Sequence, residues 1–227
     1  MPFVIVATLT LGPLAVLCGL AGQPSAARAA ARLWGRVLLG MWGVKVTVRG
    51  AAPSGPAVYA ANHASALDIP LMFACLPVDF RVLHKRSLYL VPLIGWYLYL
   101  AGHIGVDRSN PFRARRSLSR AAARIGSGTS VLVFPEGTRN REALPGVAAF
   151  KRGSFVLALE AGVPVVPVSL HGVKALVPHG LLRVRPGAVR ITLHEPVATE
   201  GLSAEAAADL AERVRAVVAD GCREDAA

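Results

Sequence analysis

A histidine and an aspartate five positions apart, His63 and Asp68, sit in the segment NHASALD at residues 62–68. On one continuous helix they would lie about 140° apart, at roughly 100° per residue, and would not meet. They can meet if His63 occupies the turn after a strand and Asp68 lies one turn into the next helix. Asp68 then holds one ring nitrogen and leaves the other to take a proton. This is a triad without its own nucleophile, so the hydroxyl it activates comes from the substrate. Ser65 is the in-chain alternative, although it lacks the glycines of a nucleophile elbow. A capping Asn62, a core His63 and a surface Asp68 form the purely structural alternative.

The segment FPEGTR at 134–139 closes a buried-type apolar run. Its polar residues therefore stand at the C-terminal end of a strand, where ligands bind in open α/β sheets. Arg139 offers a bidentate fork for a phosphate. Gly137 permits a tight turn and close approach of a ligand. Glu136 orients Arg139 or a substrate hydroxyl. The segment GVDR at 105–108 makes Arg108 a second phosphate ligand, with Asp107 as its partner. A solvated turn and a surface ion pair are the plainer readings of these two segments. In VPVVPV at 163–168, two prolines within an apolar strand indicate an edge or a bulge. This segment reads as pocket wall, with plain core as the alternative. The remaining histidines show no metal-ligand spacing, and no P-loop or dinucleotide fingerprint is present. No metal or cofactor is expected.

These segments need a frame. Val44, Val46 and Val48 alternate with Lys45, Thr47 and Arg49, the period of a half-buried strand. Further strands are predicted at 57–61, 81–83, 103–106, 130–134, 163–170 and 189–193. Helices are predicted at 66–76, 92–100, from 111 onward, at 155–161 ending at Gly162, and at 204–218 capped by Ser203. Asn110 and Pro111 fit the N-cap and first position of the helix that carries Arg113, Arg116, Arg120 and Arg124. Strands alternating with helices give an α/β fold: a mixed central sheet flanked by helices.

The chain has 227 residues, 53% hydrophobic and 17% charged, with a net charge of +11 and a mean hydropathy of +0.47. Disorder is excluded, and three scattered cysteines exclude a disulfide scaffold. Basic and apolar together point to an anionic membrane surface as partner, not to nucleic acid. Residues 3–20 form an apolar run of membrane-spanning length, interrupted by Gly12 and Pro13, so a kinked or shallow helix is allowed. No basic stretch precedes it, which argues against a cleaved signal. Arg28, Arg32 and Arg36 follow on one helix face, as on an amphipathic interfacial helix. By the positive-inside rule they place the main domain on the cytoplasmic side. The expected organisation is a membrane-associated helix pair at 1–43 and a catalytic domain at 44–227.

Taken together and in this order, the four segments resemble the bacterial 1-acyl-sn-glycerol-3-phosphate acyltransferases, the lysophosphatidic acid acyltransferase family. The family's NHxxxxD motif is matched at 62–68, and its arginine-ended second motif at 105–108. Its FPEGTRS-like motif is matched at 134–139, with Asn140 where Ser is common, and its proline-containing strand at 163–168. FKRGSF at 150–155 looks like the family's FKxG element, and residues 90–102 like its proline- and glycine-containing helix. The resemblance implies that His63 is the general base and Asp68 its orienting partner. It implies that Arg108, Glu136, Gly137, Thr138 and Arg139 bind the glycerol phosphate, with charge from Lys151. Asn62, Val163, Pro164 and Pro167 would shape the acyl pocket. The acyl donor would be acyl-CoA or acyl-carrier protein, attacked directly and without an acyl-enzyme. The acceptor would be lysophosphatidic acid and the product phosphatidic acid, at the cytoplasmic face of the inner membrane. Another lysolipid, such as a lysophospholipid or lyso-ornithine lipid, is the alternative acceptor. A catalytically idle membrane-binding module is the alternative class.

Overall fold

The computed structural model describes residues 2–107, 109–139, 147–177 and 184–223. Seven strands form one sheet in the order β1 (Val44–Arg49), β7 (Gly187–Leu193), β6 (Val165–His171), β2 (Val58–Ala61), β5 (Ser130–Val133), β3 (Phe80–Lys85), β4 (Ile104–Val106). Only the β6–β7 pair is antiparallel, so the sheet is mixed, as the alternating pattern predicts. The central strands β2, β5 and β6 are apolar runs because both faces are covered. Alternate residues serve two cores. Tyr59, Ala61, Leu132, Val166 and Val168 face one, while Val58, Ala60, Val131, Val133 and Val165 face the other.

The first core is closed by α2 (Pro24–Met41) and α3 (Asp68–Cys75). The second is closed by α5 (Pro111–Gly126), α6 (Gly153–Ala161) and α8 (Ala207–Gly221). Short elements complete the chain: a 3₁₀ turn (Arg86–Leu90), α4 (Ile94–Leu100), α7 (Val173–Leu176) and a 3₁₀ turn (Ala204–Ala206). The Asn110 side chain accepts the Phe112 N–H at 2.8 Å, the cap that starts α5. Gly162 ends α6 in the left-handed region, at φ 64°. Ser203 does not cap the last helix. Its hydroxyl turns to Glu205, and α8 begins only after the 3₁₀ turn.

The N-terminal pair forms two helices, as expected, and departs from expectation on its basic face. Helix α1 (Pro2–Leu20) runs unbroken through Gly12 and Pro13. Gly12 and Gly19 serve packing, because a Cβ on either would strike Leu93 or Leu100 at 2.9 and 2.5 Å. The basic stripe on α2 does not simply face outward. Arg28 forms a two-pronged ion pair with Asp79 at 2.7 and 2.9 Å and also reaches the Ala101 carbonyl. Arg32 donates to the carbonyls of Leu76 and Val78. Only Arg36 of the three is exposed. Small residues explain why α2 packs so close to α3: a Cβ on Gly35 would lie 2.6 Å from the Pro70 carbonyl. Helix α1 is the one described helix long and apolar enough to cross a membrane, and only Ala7 and Ala15 of residues 3–20 are buried.

The proline segment sits inside the sheet, not at its edge. Pro167 pairs with Ala60 of β2, and β7 lies on its other side. Val168 pairs with Leu193 and Val165 with Val197, so three steps of β6 face four of the returning chain. That bulge accommodates the missing proline N–H. Val163 and Val165 are buried in the second core and Val166 and Val168 in the first, as the plain-core alternative has it.

Candidate active site

The sheet places the chemistry at the C-terminal ends of parallel strands. Strand β2 ends at Ala61, and Asn62 then bonds sideways to β6. Its side-chain Oδ1 accepts the Leu170 N–H at 2.8 Å, and its Nδ2 donates to the Leu170 carbonyl at 3.1 Å. The amide replaces the next rung of the ladder, so the exit direction of the chain is fixed just before His63. Asn62 is therefore a structural brace.

His63 Nδ1 lies 2.7 Å from Asp68 Oδ2. Asp68 is the first residue of α3, earlier in the helix than the spacing predicts, and is wholly buried. Its position favours a negative charge at the helix N-terminus. The Ser65 N–H donates to the same Oδ2 at 2.8 Å. Burial pushes the Asp68 carboxyl above its ordinary range, and the bonds from His63 and Ser65 pull against that. The His63 ring stacks on Phe134 at 4.3 Å between centroids and keeps 16% of its side chain exposed. With the Nδ1 proton held by Asp68, the lone pair of the neutral ring is at Nε2. Nε2 meets no hydrogen-bonding partner among the described residues. Ser65 is not set up as a nucleophile. It is nearly buried, and its Oγ accepts the Leu67 N–H at 3.0 Å within the turn.

Glu136 turns the other way from expectation. Its Oε1 accepts the backbone N–H of His63 at 2.6 Å, and its Oε2 accepts that of Ala148 at 3.2 Å. The side chain is 4% exposed, and burial raises its pKa against those two amide bonds. Both carboxylate oxygens accept backbone amides, so Glu136 locks the segment at 134–139 to the loop carrying His63.

The cationic residues are outside this buried core. Gly137 takes φ 74°, which calls for glycine in the turn, and Lys151 Nζ lies against it, 2.7 Å from the position a Cβ would take. The Lys151 N–H also donates to the Pro135 carbonyl at 2.9 Å. Thr138, Arg139 and Lys151 are exposed, and among the described residues no carboxylate pairs with Arg139 or Lys151. Arg108 lies outside the described residues. Its neighbour Asp107 can be located by register. Ala60 pairs with Val133, Leu132 with Val82, and Leu83 with Ile104. His63 and Asp107 thus follow their strands at the same level, three strand spacings or roughly 14 Å apart. Asp107 accepts from Ser109 and lies 3.9 Å from Arg113.

Sequence reasoning missed Phe134 as the wall of the histidine, although its place directly before Pro135 was a signal. It also missed the clasp by Glu136, for which no local pattern exists. Among the described residues no cluster of His, Cys, Asp and Glu is arranged to hold a metal.

Residues 43–171 match the family model described as Acyltransferase. A 1-acyl-sn-glycerol-3-phosphate acyltransferase of Chlamydomonas reinhardtii is 40% identical over 156 residues, 66% of this chain and 46% of that protein. The chain thus spans about half the length of that relative. The Saccharomyces cerevisiae 1-acyl-sn-glycerol-3-phosphate acyltransferase is 32% identical over 213 residues, 92% of this chain and 70% of the yeast protein. The crystal structure of the 1-acyl-sn-glycerophosphate (LPA) acyltransferase PlsC from Thermotoga maritima superposes with a TM-score of 0.79. It is 28% identical, with 97% of this chain and 91% of that one covered. The chain belongs to the acyltransferase family.

Proposed function

We propose that this chain moves a fatty acyl group from acyl-CoA or acyl-carrier protein to the sn-2 hydroxyl of 1-acylglycerol 3-phosphate, giving phosphatidic acid. The observation that carries this reading is His63 Nδ1 held at 2.7 Å by a fully buried Asp68, with no serine or cysteine poised as nucleophile beside it. The names of the relatives supply the acceptor class.

In this reading His63 Nε2 takes the proton of the substrate hydroxyl as its oxygen attacks the thioester carbonyl. Asp68 stabilises the imidazolium. The tetrahedral intermediate collapses with loss of the thiolate, and His63 returns the proton to that sulfur. No bond to the protein forms. General base catalysis typically supplies about 10² to 10⁴-fold. Holding the hydroxyl against the thioester supplies several further orders of magnitude. Arg139 and Lys151 hold the phosphate, joined by Arg108, which follows Asp107 in the sequence. Residues 1–43 act as the membrane anchor of a catalytic domain at 44–227. Helix α1 lies in or across the bilayer, with the domain on the cytoplasmic side.

The test offers labelled oleoyl-CoA and oleoyl-carrier protein with a panel of lysolipids and resolves the lipid products by mass. Phosphatidic acid from lysophosphatidic acid supports the proposal. A different acylated lipid reassigns the acceptor, and no product from a folded, vesicle-bound protein refutes the reading.

A further inference from the structure

A cavity of about 950 Å³ opens between α1, α4, β4 and α5. None of His63, Asp68, Glu136, Arg139 and Lys151 lines it. Its walls are of two kinds. Leu20 of α1 and Trp96 and Tyr99 of α4 supply an apolar and aromatic side. These three side chains are 68%, 58% and 73% exposed, and the surface they form continues along α1 through Leu17. Arg120 and Arg124, one helical turn apart on α5, supply a cationic side together with Arg86.

These cations converge without an anion. Among the described residues no carboxylate pairs with Arg86, Arg120 or Arg124. Arg124 also approaches a second guanidinium: its Nη2 and the Arg81 Nε lie 3.2 and 3.6 Å from the Cβ position of Gly102. Arg81 is paired with Asp79 through Nη1 at 3.1 Å, and only its buried Nε has no hydrogen-bond partner among the described residues. An apolar cleft with a few convergent charged groups is the usual form of a small-molecule site. A ligand for this one needs a negative head and an aliphatic tail. Tryptophan and tyrosine beside arginine are also the residues that settle at the headgroup level of a bilayer.

We propose that this groove binds one anionic phospholipid from the bilayer. Its phosphate sits on Arg120 and Arg124 and its chain lies along Leu20, Trp96 and Tyr99. The groove adjoins the 105–108 segment through Gly105, while His63 and Asp68 lie outside its lining. It seats the protein at a fixed depth through α4 and α5 as well as α1. The proposal rests on the reading of α1 as membrane-lying. The arginines are exposed but border an apolar and aromatic wall, which suits a lipid with a charged head better than an acidic protein surface.

The experiment titrates the purified full chain in neutral detergent with dioctanoyl phosphatidylglycerol and counts bound lipid by native mass spectrometry. Phosphatidylglycerol is neither substrate nor product of the proposed reaction. The expected result is one lipid per chain, weakened at least about tenfold in R120Q/R124Q and in W96A. R113Q/R116Q removes the same charge from the same helix outside the groove and should change affinity little. R139Q should bind as wild type does. Equal weakening in the two arginine pairs would overturn the site in favour of a diffuse charge effect. So would loss of binding in R139Q, or loss of acidic carrier-protein binding in R120Q/R124Q with lipid binding intact. Flotation with pure phosphatidylcholine vesicles tests the anchor separately, since a chain that fails to float but still binds one lipid refutes only the reading of α1.

Discussion

His63 keeps 16% of its side chain exposed and has one ring nitrogen engaged, whereas His103 is 2% exposed and has both engaged. The two histidines lie at opposite ends of the strands of one sheet. His63 follows the C-terminal end of β2, and His103 immediately precedes β4. His103 Nδ1 accepts the Val82 N–H at 2.9 Å, its Nε2 meets the Tyr97 hydroxyl at 2.9 Å, and Phe73 stands edge-on to the ring. Burial lowers its pKa to about 3 and raises that of Tyr97. No carboxylate touches the ring, so the neutral form is locked. His63 has the opposite surroundings: a buried carboxylate on one side and an open nitrogen on the other. The same side chain is a structural pin where both nitrogens are satisfied by the fold, and a base where one is left for a substrate.

The sharpest way to break this contrast is to exchange the consequences. His63→Ala should lower kcat/KM by about 10³-fold or more without loss of folding, measured as phosphatidic acid formed per enzyme. A near-normal rate would remove His63 from the mechanism. Asp68→Asn should cost somewhat less, about 10²-fold in kcat, by weakening control of the tautomer and leaving the imidazolium unpaired. Its KM for the acceptor should stay near wild type. R139Q combined with K151M should act differently again, raising the acceptor KM about tenfold through loss of charge-assisted bonds while kcat changes less. A pure kcat effect would contradict their assignment to the phosphate.

His103→Phe should have the smallest effect on activity and a clear one on stability. It leaves the Val82 N–H without an acceptor, at a cost of about 1–3 kcal/mol. The pH dependence sharpens the point. The unfolded ring titrates near 6.5 and the folded one at about 3. Between those values the unfolded chain carries the extra proton. Wild-type stability therefore falls as pH drops through this window, by about 1.4 kcal/mol per unit from this residue. The difference between wild type and H103F in denaturant midpoints across pH isolates that slope. Equal slopes would show that His103 is not held neutral.

The same contrast explains what could be read from the sequence. Strand β5 and the start of α5 follow from local signals, an apolar run and an Asn-Pro cap. The pairing of His63 with Asp68 also follows, because their separation demands a turn between a strand and a helix. What escaped was long-range. Asn62 braces Leu170, 108 positions away, and Glu136 holds the His63 amide across 73. Arg28 and Arg32 carry an interfacial signature and are instead drawn onto Asp79 and the carbonyls of Leu76 and Val78, because the chain leaving α3 ends with acceptors exposed beside them. A stripe of arginines specifies a face and not its partner. The prolines allowed an edge or a bulge, and the choice of a bulge depends on the chain around β7, a later part of the sequence.

The account turns on the substrate's own hydroxyl being the nucleophile. The direct test mixes the protein with oleoyl-CoA in the absence of any acceptor and follows the intact protein mass on the time scale of turnover. The mass should stay unmodified, and acyl transfer should begin only when lysophosphatidic acid is added. An oleoyl adduct that forms in the absence of acceptor and disappears when acceptor is supplied would contradict the account, placing a nucleophile in the chain.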